Sequence, residues 1–361
     1  MRCAELLLVA PAGDRQAAAL AERAGARGVT AEHVHVDGRS PARLTVGTSE
    51  LQVNGGSLTR DTVLYTHAAR YDVPALPAAA AADPALFQDH HIAQQQRASL
   101  LWSFLSAAEA VAGSDHMVNP WSRLSAIPSA FAALATMRGA DLPVPPLLLT
   151  NSLRALRASA AHGRAAHVLW SFPDRGVPLR PLRRARWAEL FRGNEIPLLI
   201  LPPRTGAPLR AWVLHGRVLL VARVRVPAYE PGLDHLETFA YLPPDAAVEH
   251  IARAVHALFG LAFFELFLGE TADGVRIEGL GPDPELADLP PRARAYLLDS
   301  LVQALAARAG HGDACVAPAR RPGRRARALA DPPGDPFTGE EERAAVYLTR
   351  LLQAPMALAE P

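Results

Sequence analysis

The chain has 361 residues, half of them apolar, and its 37 basic side chains nearly balance its 36 acidic ones. This length and composition predict a soluble globular protein with a core large enough for two or three packed subdomains. The near-neutral charge argues against a dedicated nucleic-acid binder, whose surface would be basic. All 37 basic residues are arginine, so the sequence contains no lysine.

Neither a targeting segment nor a membrane span is predicted. Glu5 precedes the short apolar run near the N-terminus and no small-residue cleavage site follows it, so the run predicts a buried first strand. No apolar run approaches the length of a membrane span. Cys3 and Cys315 are too isolated to predict a disulfide framework or a zinc site. We therefore expect a cytoplasmic protein with no membrane partner.

The first 118 residues predict a parallel βαβ unit, a hairpin and a long helix. The predicted elements are strands over 6–10, 31–36 and 62–66, helices over 14–27 and 87–111, and hairpin strands within 42–58. His90 and His91 are adjacent in the long helix and do not share a face, which favours two surface histidines over a metal site.

The following 200 residues alternate shorter helices and strands. The predicted helices and strands lie over 128–137, 146–150, 153–161, 167–172, 197–201, 209–214, 217–226, 246–259, 262–268, 275–277 and 292–308. The strand over 167–172 is predicted to begin a second sheet. The tail contains a basic run over 320–327 and a short helix, whose start is indicated by a capping box of Thr338 and Glu341.

This order of elements resembles the ATP-grasp superfamily, and the RimK-like and graspetide (microviridin-type) peptide maturases are its nearest branches. The matching stretches are VNPWS (118–122), DLPVPPLLLTNS (141–152), APLRAWVLHGRVLLVARV (207–224) and FFELFLGETADGVRIEGLGP (263–282). The resemblance implies an α/β fold with an N-terminal pre-ATP-grasp parallel βαβ domain and two α+β subdomains with a cleft between them. The implied bounds are 1–118, 119–200 and 201–312, followed by a basic linker and short C-terminal helix over 313–361.

The resemblance also implies a nucleotide site, and this chain departs from it. ATP-grasp enzymes activate a carboxylate as an acyl phosphate, which requires cations on the triphosphate and oxygen ligands on Mg²⁺. The first lysine position falls on Ala130 and the second on Trp170 or Ser171. The position of an adenine-reading polar pair falls on residues 199–201. The position of a metal-binding aspartate falls on or beside Phe267, and that of a Glu-x-Asn metal clamp on Gly279-Leu280-Gly281. None of these side chains supplies the cation, the adenine-recognising polar group or the metal ligand that the resemblance implies at its position.

Some charged residues remain as candidates for this site. Arg210 matches a phosphate-binding arginine of the superfamily, although a surface ion pair on a strand edge is an equal interpretation. Glu265 and Glu278 are the alternatives for metal ligands, and strand alternation puts Glu278 on the face opposite the clamp. Arg223 and Arg225 share one face by the same alternation and predict a basic patch in the cleft.

The leading interpretation is a degenerate, non-catalytic ATP-grasp-like protein with no catalytic residues, no metal and no cofactor. It would act as a binding or accessory partner for a peptide or protein, such as an active ATP-grasp enzyme or an acidic precursor peptide. The alternative is an active ATP-dependent carboxylate-amine ligase or ribosomal-peptide maturase that uses ATP and Mg²⁺ at a displaced site.

The arginine clusters allow a third class of function. The clusters over 180–186 and 320–327 would bind nucleic acid or a membrane surface, but few aromatic residues interleave them and the net charge is near zero. A leader-like acidic peptide is a further partner for the first cluster, whose candidate residues are Arg180, Arg183, Arg184 and Arg186. His311, Asp313 and Cys315 alternate like metal ligands, although a loop with incidental polar residues is the favoured interpretation.

Overall fold

The computed structural model divides into two compact units. Unit 1 comprises Met1–Leu124 and Leu298–Ala319, and unit 2 comprises Ser125–Leu297 and Arg320–Pro361. The residues described are 4–35, 42–47, 50–67, 84–127, 129–161, 167–170, 180–181, 198–202, 206–225, 236–272, 274–286, 289–310 and 344–345. Within these residues, no helix combines the length and the apolar character needed to cross a membrane.

Unit 1 contains a parallel sheet that follows the predicted βαβ pattern. Its elements are β1 (Leu6–Ala10), α1 (Arg15–Gly25), β2 (Ala31–His35), β3 (Leu44–Val46), β4 (Leu51–Val53), β5 (Gly56–Ser57), β6 (Val63–Thr66), α2 (Pro84–Ala112), β7 (Met117–Val118) and α3 (Trp121–Ser125). The parallel sheet has the order β2-β1-β6-β7, and β3, β4 and β5 form a separate antiparallel sheet.

The sequence accounts for these elements. All five residues of β1 are buried, as expected for a central strand of a parallel sheet that is covered on both faces. Asp14 begins α1, because its Oδ1 accepts a hydrogen bond of 2.7 Å from the Ala17 amide. In α2, the apolar stripe of Leu101, Phe104 and Leu105 is buried in a core cluster with β1, β4 and β6. The predicted α/β class and its parallel sheet are therefore confirmed.

Unit 2 contains two antiparallel sheets. Its elements are α4 (Ala130–Gly139), β8 (Leu148–Thr150), α5 (Leu153–Ala161), β9 (His167–Trp170), β10 (Arg180–Pro181), β11 (Leu198–Leu201), β12 (Pro208–Leu214), β13 (Arg217–Arg225), β14 (Leu236–Leu242), α6 (Ala246–Phe259), β15 (Phe263–Thr271), β16 (Gly274–Gly281), α7 (Pro291–Arg308) and β17 (Ala344–Ala345). Residues of α7 from Leu298 onward are counted with unit 1.

The smaller of these sheets begins earlier in the chain than the sequence predicts. Its strand order is β10-β9-β11-β8, so β8 is its first strand instead of the predicted strand at 167–172. The reason is that β8 pairs antiparallel with β11, with Leu148 opposite Ile200 and Thr150 opposite Leu198. Such a pairing joins segments about 50 residues apart and cannot be read from either segment alone.

The larger sheet has the order β16-β15-β12-β13-β14-β17, which makes β12 an interior strand. Its two faces differ. Arg210 lies opposite Phe267 and Trp212 lies opposite Glu265, so these four share one face, which we call the site face. The other side, which we call the apolar face, contains the buried residues Leu209, Ala211, Val213, Phe264, Leu266 and Leu268.

The predicted C-terminal helix is not supported where the structure describes that segment. Ala344–Ala345 form a short strand that pairs antiparallel with Leu236 and Glu237 of β14. Backbone pairing with the exposed side of β14 therefore replaces helical hydrogen bonding at these two residues. Thr338 and Glu341, the predicted capping pair, lie outside the described residues.

Candidate functional site

Arg210 is held in an ion pair on the site face. Its Nε and Nη2 both donate to the Glu265 carboxylate, and the Nη2–Oε2 distance is 3.1 Å. The Arg210 side chain is 16% exposed and that of Glu265 is 3% exposed, so the pair is largely removed from water. The Arg210 guanidinium also lies over the Trp212 ring, at 5.1 Å, and over the Phe267 ring, at 5.6 Å.

This geometry differs from the interpretation of Arg210 as part of a surface ion pair on a strand edge. It lies on the interior strand β12 and not on a strand edge, and its pair with Glu265 is buried instead of superficial. The candidate phosphate ligand and one candidate metal ligand are therefore bonded to each other. A bidentate ion pair between a guanidinium and a carboxylate is among the strongest hydrogen-bonded pairs that proteins form.

Glu278 lies on the site face, which corrects the expectation from strand alternation. The pairing of β15 with β16 shifts between Phe267 and Leu268, where Phe267 faces Gly279 and Leu268 faces Ile277. Glu278 is the extra residue of this bulge, and a bulge changes the direction of the side chains that follow it. An ideal Cβ on Gly269, two residues after Phe267, would lie 2.5 Å from Glu278 Oε1.

The Glu278 carboxylate is also paired with an arginine. Arg276 donates to Glu278 Oε1 from Nε at 3.0 Å and from Nη2 at 2.9 Å. The same Nη2 donates to the carbonyl oxygen of Pro202, which follows β11, at 3.1 Å. Because Arg276 and Glu278 are both on the site face, the two buried carboxylates described on this face, those of Glu265 and Glu278, are each bonded to an arginine of the same face.

The position implied for the metal clamp is occupied by an aromatic ring. An ideal Cβ at Gly279 would lie 3.2 Å from the Phe267 side chain, and one at Gly281 would lie 3.3 Å from the same ring. Mg²⁺ requires oxygen ligands at about 2.0–2.1 Å, and neither glycine nor phenylalanine supplies one. The residues at these positions therefore do not fit the metal site that the resemblance implies.

The two remaining carboxylates are attached at different points along the site face. Glu278 Oε1 lies beside Gly269, whose backbone is four residues, or roughly 13 Å, from that of Glu265 along β15. The half-buried ring of Phe267 lies between them on the strand. Within the described ranges, no group of three or more His, Cys, Asp or Glu is arranged to hold a metal ion.

The positions implied for adenine and for lysine are apolar where the structure describes them. Leu199, Ile200 and Leu201 of β11 are all buried in the core. Ala130 is the first residue of α4 and directly follows the cap residue Ser129. Trp170 is described by its backbone alone, as the last residue of β9, and Ser171 lies outside the described residues.

Arg223 lies on the face of the larger sheet opposite to Arg210. It lies opposite Leu209 on β13, whereas Arg210 lies opposite Ala222, so the two arginines are on opposite faces of the sheet. Arg223 Nη2 donates to Glu270 Oε1 at 2.5 Å. Arg225 follows two residues later on the same strand, and its side chain lies outside the described part of the chain. The register between β12 and β13 is what puts Arg223 and Arg210 on opposite faces.

The other candidates fall largely outside the described residues. Arg180 belongs to β10 and is described by its backbone alone. Residues outside the description include Arg183, Arg184, Arg186, the run 320–327 and the segment 311–315. Their predicted roles therefore stay predictions.

Sequence reasoning missed Arg276 and the need for glycine at position 269. The available signal was the spacing of Arg276 and Glu278, two residues apart on a predicted strand, which puts opposite charges on one face. That signal was obscured because the predicted strand over 275–277 ended before Glu278. Gly269 carries no signal by itself, since its role depends on the carboxylate that lies above it.

The fold is similar to that of solved ATP-grasp ligases over most of the chain. The ATP-grasp ligase PsnB, complexed with minimal precursor, Mg and ADP, matches with a TM-score of 0.70 at 20% identity, over 86% of this chain and 98% of that chain. Macrocyclase MdnC of Microcystis aeruginosa MRC, bound with precursor peptide MdnA, matches with a TM-score of 0.64 at 14% identity, over 84% and 98%.

A RimK domain ATP-grasp protein of Sphaerobacter thermophilus DSM 20745 matches with a TM-score of 0.52 at 18% identity, over 85% of this chain and 98% of that chain. No protein-family model and no curated protein sequence matches the chain. Identities of this size concern the fold and leave the reaction open. The chain therefore has the ATP-grasp fold, in the arrangement seen in ATP-grasp ligases solved with precursor peptides.

Proposed function

We propose that the chain is a non-catalytic protein of ATP-grasp fold that binds a peptide and uses neither a nucleotide nor Mg²⁺. One observation carries this proposal: each buried carboxylate of the site face is bonded to an arginine of the same face. In addition, Phe267 covers the two glycines at the position implied for the metal clamp. The charges of Glu265 and Glu278 are thus matched within the protein.

Electrostatics make the paired site a poor site for a triphosphate. A phosphate would have to take Arg210 from Glu265, which would leave a buried carboxylate without its ion-pair partner. Breaking such a buried pair costs about 3–5 kcal/mol, which corresponds to a loss of affinity of about 10² to 10⁴. A sequence without lysine offers no amine to compensate.

The peptide part of the proposal is supported by the structural neighbours. PsnB was solved with a minimal precursor and MdnC with the precursor peptide MdnA. A peptide-binding surface can persist on a fold whose reaction is absent, because binding and chemistry use different residues. The candidate contacts for an acidic peptide are Arg180, Arg183, Arg184 and Arg186. An active ATP-grasp enzyme is the partner that such an accessory protein would serve.

Isothermal titration calorimetry with ATP and Mg²⁺ tests the nucleotide part. We expect no binding heat up to about 1 mM ATP, in line with the loss of affinity estimated above. A Mg²⁺-dependent Kd in the micromolar range would contradict the proposal.

Fluorescence anisotropy with a labelled peptide of twelve glutamate residues tests the peptide part. We expect nucleotide-independent binding that weakens with added salt and weakens further in the variant Arg183→Ala/Arg184→Ala. The matched control is Arg292→Ala, which removes one exposed arginine elsewhere in unit 2. Equal binding by both variants would remove the arginine cluster from the proposal.

One observation favours the second candidate, an active carboxylate-amine ligase with a displaced site. Arg210, Glu265 and Glu278 all lie on one face of the sheet, where such a site would need them. An active ligase would release ADP only when both a carboxylate and an amine are supplied. Glu265→Gln would then abolish ADP release, because it removes the charge of the candidate metal ligand.

A further inference from the structure

Arg276 connects the two sheets of unit 2. Its guanidinium binds Glu278 on β16 and the carbonyl oxygen of Pro202, the residue that follows β11. The resemblance places adenine recognition at the end of β11 and the metal clamp at the end of β16. Arg276 therefore joins the two segments between which a nucleotide would be held.

A second hydrogen bond joins β16 to the smaller sheet beside this contact. The amide of Ile277 donates to the carbonyl oxygen of Pro143 at 2.8 Å. Pro143 precedes β8 and Pro202 follows β11, and these two strands are antiparallel neighbours. Two consecutive residues of β16 thus bind the chain at the same end of the β8–β11 pair.

Three local features support the Arg276 contact. The bulge turns Glu278 onto the site face, where its carboxylate is buried. Gly269 leaves the space into which that carboxylate extends, since an ideal Cβ there would lie 2.9 Å from Glu278 Cδ. Arg276 supplies the charge that a buried carboxylate requires. The bulge, the glycine and the arginine all act at one contact, which indicates a specific connection between the two sheets.

We propose that Arg276 is an internal clamp that holds the two sheets of unit 2 together in place of a nucleotide. The clamp makes the arrangement of these sheets constitutive, so that the protein presents its peptide-binding form without ATP. The inference rests on the proposed function, since a clamp replaces a nucleotide only where none is bound. It adds that peptide binding by this protein does not depend on a nucleotide.

Hydrogen exchange of the full chain, measured by mass spectrometry without nucleotide, tests the clamp. Arg276→Gln removes the charged donor to Pro202, and we expect the amides of 198–201 and of Ile277 to exchange about tenfold faster than in the wild type. The matched control is Arg253→Gln, because Arg253 is an exposed arginine of α6 whose nearest carboxylate, on Glu249, is 4.0 Å away. The control should leave these amides unchanged.

A second variant keeps the test valid if Arg276→Gln does not fold. Arg276→Lys retains a positive charge beside Glu278 and loses the planar fork that reaches Glu278 and Pro202 together. We expect faster exchange of the same amides in this variant, by a smaller factor. If both variants exchange these amides at the wild-type rate, the clamp is overturned. If only Arg276→Lys folds, wild-type exchange in that variant alone overturns it.

The nucleotide arm separates this inference from the proposed function. Mg²⁺ and ATP added to the wild type should leave the exchange of 198–201 unchanged. If they slow it, with binding heat in calorimetry, the proposed function is wrong and the constitutive clamp is wrong with it. If they have no effect and the Arg276 variants also exchange like the wild type, only the clamp is wrong.

Discussion

The site face and the apolar face of the larger sheet are built on the same strands, β12 and β15, and both are removed from water. On the apolar face, Leu209, Leu266 and Leu268 are buried among other hydrocarbon side chains. On the site face, burial includes Arg210 and Glu265, whose charges are compensated by each other. The comparison shows that buried charges on one face of a sheet can be compensated by each other, while the opposite face is buried through apolar packing.

The two means of burial predict different responses to mutation. Removing apolar atoms weakens the apolar face in proportion to the volume lost, whereas removing one charge on the site face leaves its partner charged in a low dielectric. Removing both charges at once leaves no buried charge that needs a partner. The variants below test this contrast in order of expected effect.

The largest effect is expected for Arg210→Ala. Glu265 then loses its ion-pair partner while its side chain stays 3% exposed, and the free energy of unfolding should fall by about 4 kcal/mol. The double variant Arg210→Met/Glu265→Leu should lie within about 1 kcal/mol of the wild type, because neither charge remains. Urea unfolding monitored by circular dichroism measures both. A double variant as unstable as the single one would refute the internal matching of charges.

A smaller effect is expected on the apolar face for Leu266→Ala. The side chain is fully buried, so truncation should lower the free energy of unfolding by about 3 kcal/mol. Leu258 of α6 is 37% exposed, and Leu258→Ala serves as the matched control, with a loss of about 0.5 kcal/mol. The same unfolding experiment would contradict the assignment of the apolar face if both leucines behaved alike.

Gly269→Ala should destabilise the protein by about 2 kcal/mol through overpacking. The added methyl group would lie 2.5 Å from Glu278 Oε1, which is itself fixed by Arg276. A double-mutant cycle with Glu278→Ala should show that most of this loss disappears when the carboxylate is absent. Gly139→Ala is the control, since its Cβ would meet no atom within 4 Å. Additive losses would place Glu278 away from Gly269.

The smallest effect concerns a carboxylate that is held by hydrogen bonds from serines, with a lesser contribution from the charge of Arg123. Glu109 of α2 accepts hydrogen bonds from Ser114 Oγ at 2.8 Å and from the Ser122 amide at 2.8 Å. Partial burial raises the pKa of the Glu109 carboxyl, but the hydrogen bonds from Ser122 and Ser114 outweigh it, so its pKa lies below the ordinary 4.5.

A lowered pKa in the folded state means that the stabilisation by Glu109 is present above pH 4.5. It should be lost as the pH falls through the lower folded value. Glu109→Gln should remove about 1 kcal/mol at pH 7 and flatten the dependence of stability on pH below 4.5. Glu22→Gln, at an exposed position of α1, is the control. Thermal unfolding from pH 3 to 7 measures the difference between the curves.

Elements with local signals were predictable from the sequence. The predicted helix over 246–259 has the bounds of α6, because Asp245 caps its start and Gly260 ends it in a left-handed conformation with φ of 66°. The predicted strands over 209–214 and 217–226 likewise correspond to β12 and β13, which pair across His215 and Gly216. In each case the residues that decide the structure are neighbours in the chain.

The arrangement of the candidate site was not predictable, since it depends on register between strands. Counting by twos puts Glu278 on the wrong face because one extra residue in β16 breaks the count. It also cannot show that Arg223 and Arg210 lie on opposite faces, which requires the pairing of β12 with β13. The ion pair of Arg210 with Glu265 joins residues 55 positions apart, so neither residue signals the other.

The ring of Phe267 limits what the neighbouring glycine positions can accept. An ideal Cβ would lie 3.2 Å from the Phe267 side chain at Gly279 and 3.3 Å from it at Gly281. Both distances are tighter than ordinary van der Waals contact, so a side chain at either position requires the ring to shift by a few tenths of an ångström. The freedom of one half-buried ring therefore decides whether an oxygen ligand can be introduced at either glycine.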